Sequence, residues 1–194
     1  MPLIRSVAVF CGASTGHAAH FTVAARALGQ GIADAGIRLI YGGGGVGLMG
    51  EVADAAVRAG GTVIGVIPDF LTQREVAYDD ISELIVTPDM HTRKRHMFEL
   101  SDAFVSFAGG LGTLDETFEI LTWRQLGLHD KPVLICDVGG AAGPLLATIE
   151  GAIEMGFARP EVRNLYEVRT GVPAALEWLG AQSVPADAPA LRGA

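Results

Sequence analysis

The stretch that decides the fold is Asp102–Thr122, DAFVSFAGGLGTLDETFEILT. It opens on a short apolar run, DAFVSF, that reads as a buried strand. Gly109, Gly110 and Gly112 follow, and an amphipathic run from Thr113 to about Leu126 then reads as a helix. Strand, glycine loop and helix in that order are the unit of a parallel sheet, because parallel neighbours need a crossover and a helix supplies it. Glycines let the backbone of such a loop come close to another group. The helix start presents N–H groups with no partner inside the helix, and its dipole favours an anion there. Thr113-Leu114-Asp115-Glu116 also fits a capping box, with Thr113 as N-cap and Glu116 at N3. On that reading the glutamate only secures the helix. Beside a bound phosphate it becomes a candidate for chemistry.

The same alternation extends in both directions. SVAVFCG from Ser6, IRLIYGG from Ile37, GTVIGVIP from Gly61, ELIVTP from Glu83 and KPVLICDV from Lys131 read as further strands. His20–Gly36, Leu48–Gly60, Met90–Leu100 and a run near Pro144–Met155 read as helices, the first two stopping at glycine. Strands of continuous apolar character are buried on both faces. The expected fold is therefore α/β, a Rossmann-like doubly wound parallel sheet with helices on both faces. A single domain spans residues 1–182, and the Pro/Ala-rich tail from Ser183 to Ala194 is expected to be disordered.

Composition narrows the function classes. A chain of 194 residues suits one domain with a full core. The net charge of −8 argues against a broad nucleic-acid surface, so an anion needs a local positive site. Apolar residues make up 49% and charged ones only 19%, which points to a surface covered by a partner, most simply a second copy. No apolar run reaches the ~18 residues of a membrane span. MPLIRSVAVF lacks a signal-peptide layout, and Cys11 and Cys136 lie in or beside apolar runs, as buried thiols in a reducing cytoplasm would.

Ligands of such sheets sit at the carboxyl ends of the strands. The loops there are Cys11–Gly16 (CGASTG), Tyr41–Gly50 (YGGGGVGLMG) and Phe107–Thr113 (FAGGLGT). The second holds a formal GxGxxG at Gly45–Gly50, with Asp69 near the end of the next strand. A dinucleotide site and a set of tight turns explain it equally well. No Tyr-x-x-x-Lys accompanies it, and the chain has no second domain for a hydride acceptor. A cationic segment, Met90-His91-Thr92-Arg93-Lys94-Arg95-His96, follows the helix-starting pair Pro88-Asp89. Arg95 reads as a solvated face. Arg93 and Lys94 point in adjacent directions, so at least one faces the sheet's carboxyl edge. Arg93 is placed to pair with Glu116 or with a phosphate. No metal site is expected, since His91 and His96 do not share a helix face and His129 has no local partner. No cofactor is expected either.

Ala108-Gly109-Gly110-Leu111-Gly112-Thr113-Leu114-Asp115-Glu116 matches Pro-Gly-Gly-x-Gly-Thr-x-x-Glu at all but its first position, and Met90-His91-Thr92-Arg93-Lys94 matches Met-His-x-Arg-Lys. With these motifs the sequence resembles the Lonely Guy family, the cytokinin riboside 5′-monophosphate phosphoribohydrolases of the lysine-decarboxylase-like group. The Gly42–Gly50 loop, Arg74-Glu75, Thr122-Trp123, Gln125-Leu126-Gly127 and His129-Asp130-Lys131-Pro132 extend the match, which runs from about Ser6 to Leu179. The resemblance implies a homodimer that removes ribose 5-phosphate from an N6-modified AMP, with Arg93 and Glu116 as the catalytic pair. It places Glu75, Lys94, Gly110, Leu111, Gly112, Thr113, Leu114, Asp115 and Thr122 against the nucleotide, with Gly44 and Gly45 in the second glycine loop. It does not imply decarboxylation, since no pyridoxal-binding arrangement is evident. Ala108 stands where the family has proline.

The chemistry suits these groups. Breaking an N-glycosidic bond builds positive charge near C1′, which a carboxylate stabilises. Two other classes are weighed beside it: a nucleotide or molybdenum-cofactor carrier without hydrolysis, and a small NAD-binding oxidoreductase. Release of free base separates the first from an enzyme, and a retained nicotinamide cofactor would revive the second.

Overall fold

The computed structural model describes residues 3–72 and 80–184. Seven parallel strands form one sheet: β1 (Ser6–Phe10), β2 (Arg38–Tyr41), β3 (Val63–Pro68), β4 (Glu83–Thr87), β5 (Ala103–Ser106), β6 (Val133–Asp137) and β7 (Glu167–Thr170). Their order is β4-β3-β2-β1-β5-β6-β7. The crossovers are α1 (Ala19–Asp34), α2 (Gly47–Arg58), α3 (Met90–Leu100), α4 (Leu111–Gln125) and α5 (Gly143–Glu154), and α6 (Val172–Ala181) ends the described fold.

The central strands are apolar because both faces are covered. Val7, Val9, Leu39 and Tyr41 pack under α1, α2 and α6, while Ala8, Phe10, Ile40 and Phe104 pack under α3, α4 and α5. Where α1 and α2 meet, a β-carbon on Gly29 would lie 2.1 Å from the Val52 carbonyl oxygen, so glycine sets their close approach.

β1 pairs with β2 on one side and with β5 on the other, Val7 facing Leu39 and Ala103. Chain direction of travel reverses at this seam, which makes it the switch point where such sheets bind ligands. Gly12 N–H donates to Ala108 C=O at 3.0 Å, and Met49 N–H donates to Gly12 C=O at 3.2 Å. The three glycine loops read from the sequence are thereby joined above one seam. The Gly12 bond also secures the approach to the third loop at Ala108, where the family has a ring.

Two expectations are corrected. The capping box does not form. α4 starts at Leu111 with Gly110 as N-cap, and no side chain caps it. Leu114 N–H already closes onto Gly110 C=O at 3.0 Å, so the glycine loop winds into the helix earlier than its composition suggests. Thr113 is then at N3, and Glu116 lies a further turn inside. The sheet also has a seventh strand. EVRT at Glu167–Thr170 is a half-exposed, charged edge strand with no apolar run to announce it.

Ser183 forms an isolated antiparallel bridge with Leu3, and Val184 packs on the core. The rest of the expected tail, 185–194, lies outside the described residues.

Candidate active site

A cavity of about 490 Å³ opens over the β1–β5 seam. Its floor is Cys11–Gly16 from the β1 loop and Ala108–Thr113 from the β5 loop; Phe21, Leu48 and Met49 form an apolar side, with Arg93 and Glu116 below. Its size suits a small ligand.

Arg93 reaches the cavity from the first turn of α3, which Asp89 caps by accepting from Thr92 N–H at 2.8 Å. Its Nη1 lies 3.1 Å from Glu116 Oε1, and both side chains are more than nine-tenths buried. Its Nε donates to Val66 C=O of β3 at 3.0 Å, which fixes the guanidinium plane. Desolvating two charges is tolerated only when such geometry and extra hydrogen bonds compensate. Gly42 provides the room: a β-carbon there would lie 2.4 Å from Arg93 Nη2 and 2.7 Å from Met49 Sδ. Gly42→Ala is therefore expected to keep the fold, at about 1–3 kcal/mol of stability. It should lower turnover about tenfold or more by pushing the guanidinium off Glu116. Comparing melting temperature with kcat checks this, and a wild-type kcat would show that the pair need not be held so closely.

Glu116 is set in place by its own helix. The Thr117 hydroxyl lies 2.8 Å from the Ser106 hydroxyl of β5 and 2.7 Å from Thr113 C=O, pinning α4 to the strand end. The neighbouring Cys11 thiol is pushed far up by burial and by the Glu116 charge, so it remains a neutral wall of the cavity.

The start of α4 is the part of the cavity wall whose chemistry favours an anion. The first-turn amides have no intrahelical acceptor and no side-chain cap. The Thr113 hydroxyl is buried there with no hydrogen-bond partner among the described residues. A β-carbon on Gly109 would meet its Oγ1 at 2.0 Å, so glycine at that position lets the hydroxyl sit under the loop.

The expected site residues divide. Gly110, Leu111, Gly112, Thr113, Arg93 and Glu116 line the cavity together. Lys94 turns to the opposite side, its ammonium 3.1 Å from both Asp115 and Glu119. Burial works against that ammonium, but the two carboxylates outweigh it and raise its pKa. Leu114 packs into the core beneath α5 and Thr122 is exposed two turns down α4. Gly44 and Gly45 lie beyond the lining, and Glu75 falls outside the described residues. The GxGxxG resolves into tight packing: β-carbons on Gly47 and Gly50 would meet Ala13 C at 2.2 Å and Gly45 O at 2.3 Å. Sequence reasoning did not single out Phe21, Leu48 and Met49, since apolar residues in helices read as core. Among the described residues no group of His, Cys, Asp and Glu side chains is placed to hold a metal.

A glycine-floored pocket at the switch point of the sheet, with a buried ion pair beneath it, places the chain among the Rossmann-like α/β proteins, whose ligands bind at this position. Comparison with known proteins is more specific. The family described as possible lysine decarboxylase matches residues 49–179, and the chain belongs to it. It is 47% identical over 164 residues to the cytokinin riboside 5′-monophosphate phosphoribohydrolase of Rhodococcoides fascians, a match covering 84% of this chain and 83% of that one. A cytokinin riboside 5′-monophosphate phosphoribohydrolase of Arabidopsis thaliana is 44% identical over 161 residues, 83% of this chain and 76% of the other. Among solved structures, the molybdenum cofactor carrier protein of Chlamydomonas reinhardtii shares the fold with a TM-score of 0.68 at 25% identity. That match covers 94% of this chain and all of the other.

Proposed function

We propose that the chain hydrolyses the N-glycosidic bond of adenosine 5′-monophosphates, including N6-modified ones, and releases the free base and ribose 5-phosphate. The observation that carries this reading is the Arg93–Glu116 pair at 3.1 Å, buried directly below an uncapped helix start. The phosphate binds the first-turn amides of α4 and the Thr113 hydroxyl. Glu116 lies about one helical turn deeper, roughly 5 Å, which is the distance a ribose spans. Its carboxylate faces C1′ and stabilises the positive charge that grows there as the base departs. Arg93 holds that carboxylate in place through its own bond to Val66. Arg93 and Glu116 are thus the catalytic residues, and Gly110–Thr113 hold the substrate.

Incubation with AMP and N6-isopentenyl-AMP, followed by separation of bases from nucleotides, tests the reading. The expected result is adenine or isopentenyladenine together with ribose 5-phosphate. Tight nucleotide binding with no base released would favour the carrier reading, which the molybdenum cofactor carriers of like fold keep in view.

The reading includes a homodimer in the cytoplasm. Leu126, Met155 and Phe157 are large apolar side chains left exposed, at 67%, 69% and 85%. Several such residues on a chain with 19% charge call for cover. Sedimentation at micromolar concentration is expected to give about twice the 20.2 kDa of one chain, and a mass equal to one chain would refute the dimer. No helix among the described residues is long and apolar enough to cross a membrane.

A further inference from the structure

The His129-Asp130-Lys131-Pro132 stretch takes no part in the cavity, yet His129 is 1% and Lys131 6% exposed. Both lie in the connection from α4 to β6, at the end of the sheet opposite the ligand. His129 Nδ1 accepts from Lys131 N–H at 3.1 Å, so its Nε2 carries the proton and donates to Ile120 C=O at 3.0 Å. Lys131 Nζ donates to Phe98 C=O at 2.7 Å and lies 3.9 Å over the Phe98 ring. The His129 ring meets the same phenyl group edge-on at 5.1 Å between centroids.

Phe98 is on α3 and Ile120 is on α4. Arg93 is about 7.5 Å up α3 from the first contact, and Glu116 about 6 Å up α4 from the second, at ~1.5 Å per residue. These are the two helices whose near ends must bring a guanidinium and a carboxylate together. We propose that His129 and Lys131 are positioning residues, a buried latch joining the second halves of α3 and α4 and setting the register of Arg93 against Glu116.

The protonation states agree with this geometry. Burial above all pulls Lys131 down to about 8, against the opposing charges of Asp102 and Glu99, so the ammonium persists at neutral pH. Burial likewise pulls His129 down to about 4, with Arg124 and Lys131 adding to it and the Ile120 carbonyl and Asp130 opposing. The imidazole is therefore neutral, as an acceptor at Nδ1 must be. Lys94, paired with Asp115 and Glu119, straps the same two helices on the cavity side of the latch, about one turn of α3 above the Phe98 contact, so the latch and the strap reinforce one another.

The proposal rests on the hydrolytic reading, and its test separates the two. Lys131→Met keeps the stem and removes the donor. It is expected to lower kcat for AMP about tenfold or more with KM little changed, since small misplacements of a reacting group act on turnover. Lys131→Arg should recover most of the rate. Amide exchange in the second halves of α3 and α4, around Phe98 and Ile120, should quicken by about an order of magnitude in Lys131→Met, with α2 and β1 unaffected. If Lys131→Met does not fold, Lys131→Gln takes its place. A folded variant with wild-type kcat overturns the latch, as does a loss that Lys131→Arg does not recover. Exchange that quickens equally everywhere also overturns it, because that is general destabilisation. If the wild type releases no base from any nucleotide, the hydrolytic reading fails, and the exchange pattern alone decides the latch.

Discussion

Glu116→Gln is expected to lower kcat for AMP by about 10²–10³-fold, the range found when one preorganised electrostatic partner of a transition state is removed. The substitution keeps size and hydrogen-bonding shape, so substrate should still bind and KM should move little. What disappears is the charge opposed to C1′. Stability should fall as well. Arg93 is buried with a side-chain exposure of 7%, and its counter-ion would become neutral. Removing one partner of a buried pair costs about 3–5 kcal/mol, and the amide oxygen that still accepts from Arg93 should keep the loss at the lower end. The early start of α4 at Leu111 bears on this. A glutamate at N3 of a capping box could become glutamine with little change in stability. Glu116 is a turn further in, so a clear drop in melting temperature is expected together with the lost turnover. Wild-type turnover in the variant would make the carboxylate purely structural and end the proposed mechanism.

AMP should exceed adenosine in kcat/KM by roughly two orders of magnitude or more. Each charge-assisted hydrogen bond contributes about 1.5–3 kcal/mol. The first-turn amides of α4 and the Thr113 hydroxyl offer several donors, and ~1.4 kcal/mol is worth tenfold. Part of the gap should appear in kcat, because a held phosphate fixes C1′ against Glu116. Lys94→Ala should leave the ratio unchanged, since that ammonium is bound to Asp115 and Glu119 behind the cavity. A ratio that narrows in Lys94→Ala would return Lys94 to the phosphate. Equal values for nucleotide and nucleoside would reduce the glycine loops to turns.

Much of this was legible in the sequence because it depends on local signals. The apolar β-branched runs gave the central strands, and glycine stops gave the ends of α1 and α2. The third glycine loop and the cationic segment put Arg93 within reach of Glu116 or of a phosphate, and the fold pairs it with Glu116. What was hidden depends on tertiary geometry. Lys94 and Arg93 are adjacent in sequence, and only the packing of α3 on α4 sends one toward the cavity and the other away. Gly42 looked like part of a phosphate loop, whereas its main service is space for a guanidinium from another element. The structural part of His129 was hidden because its acceptor is a backbone carbonyl, which no residue pattern reports. β7 escaped notice because an edge strand with one neighbour has little need of apolar residues.

The β1–β5 seam also governs the order in which the protein comes into being. β2 follows β1, β3 follows β2 and β4 follows β3, so the first half of the sheet can grow by joining successive segments. The join of Val7 to Ala103 is different, because it closes a long span of chain before any contact rewards it. During synthesis, at about 5–20 residues per second, β1 waits with one edge bare until β5 emerges. The cavity has one wall on each side of that join, Cys11–Gly16 on the early side and Gly109–Glu116 on the late one. A nucleotide of the proposed kind would therefore find no complete site until the join is made, and would protect the finished molecule without hastening its assembly.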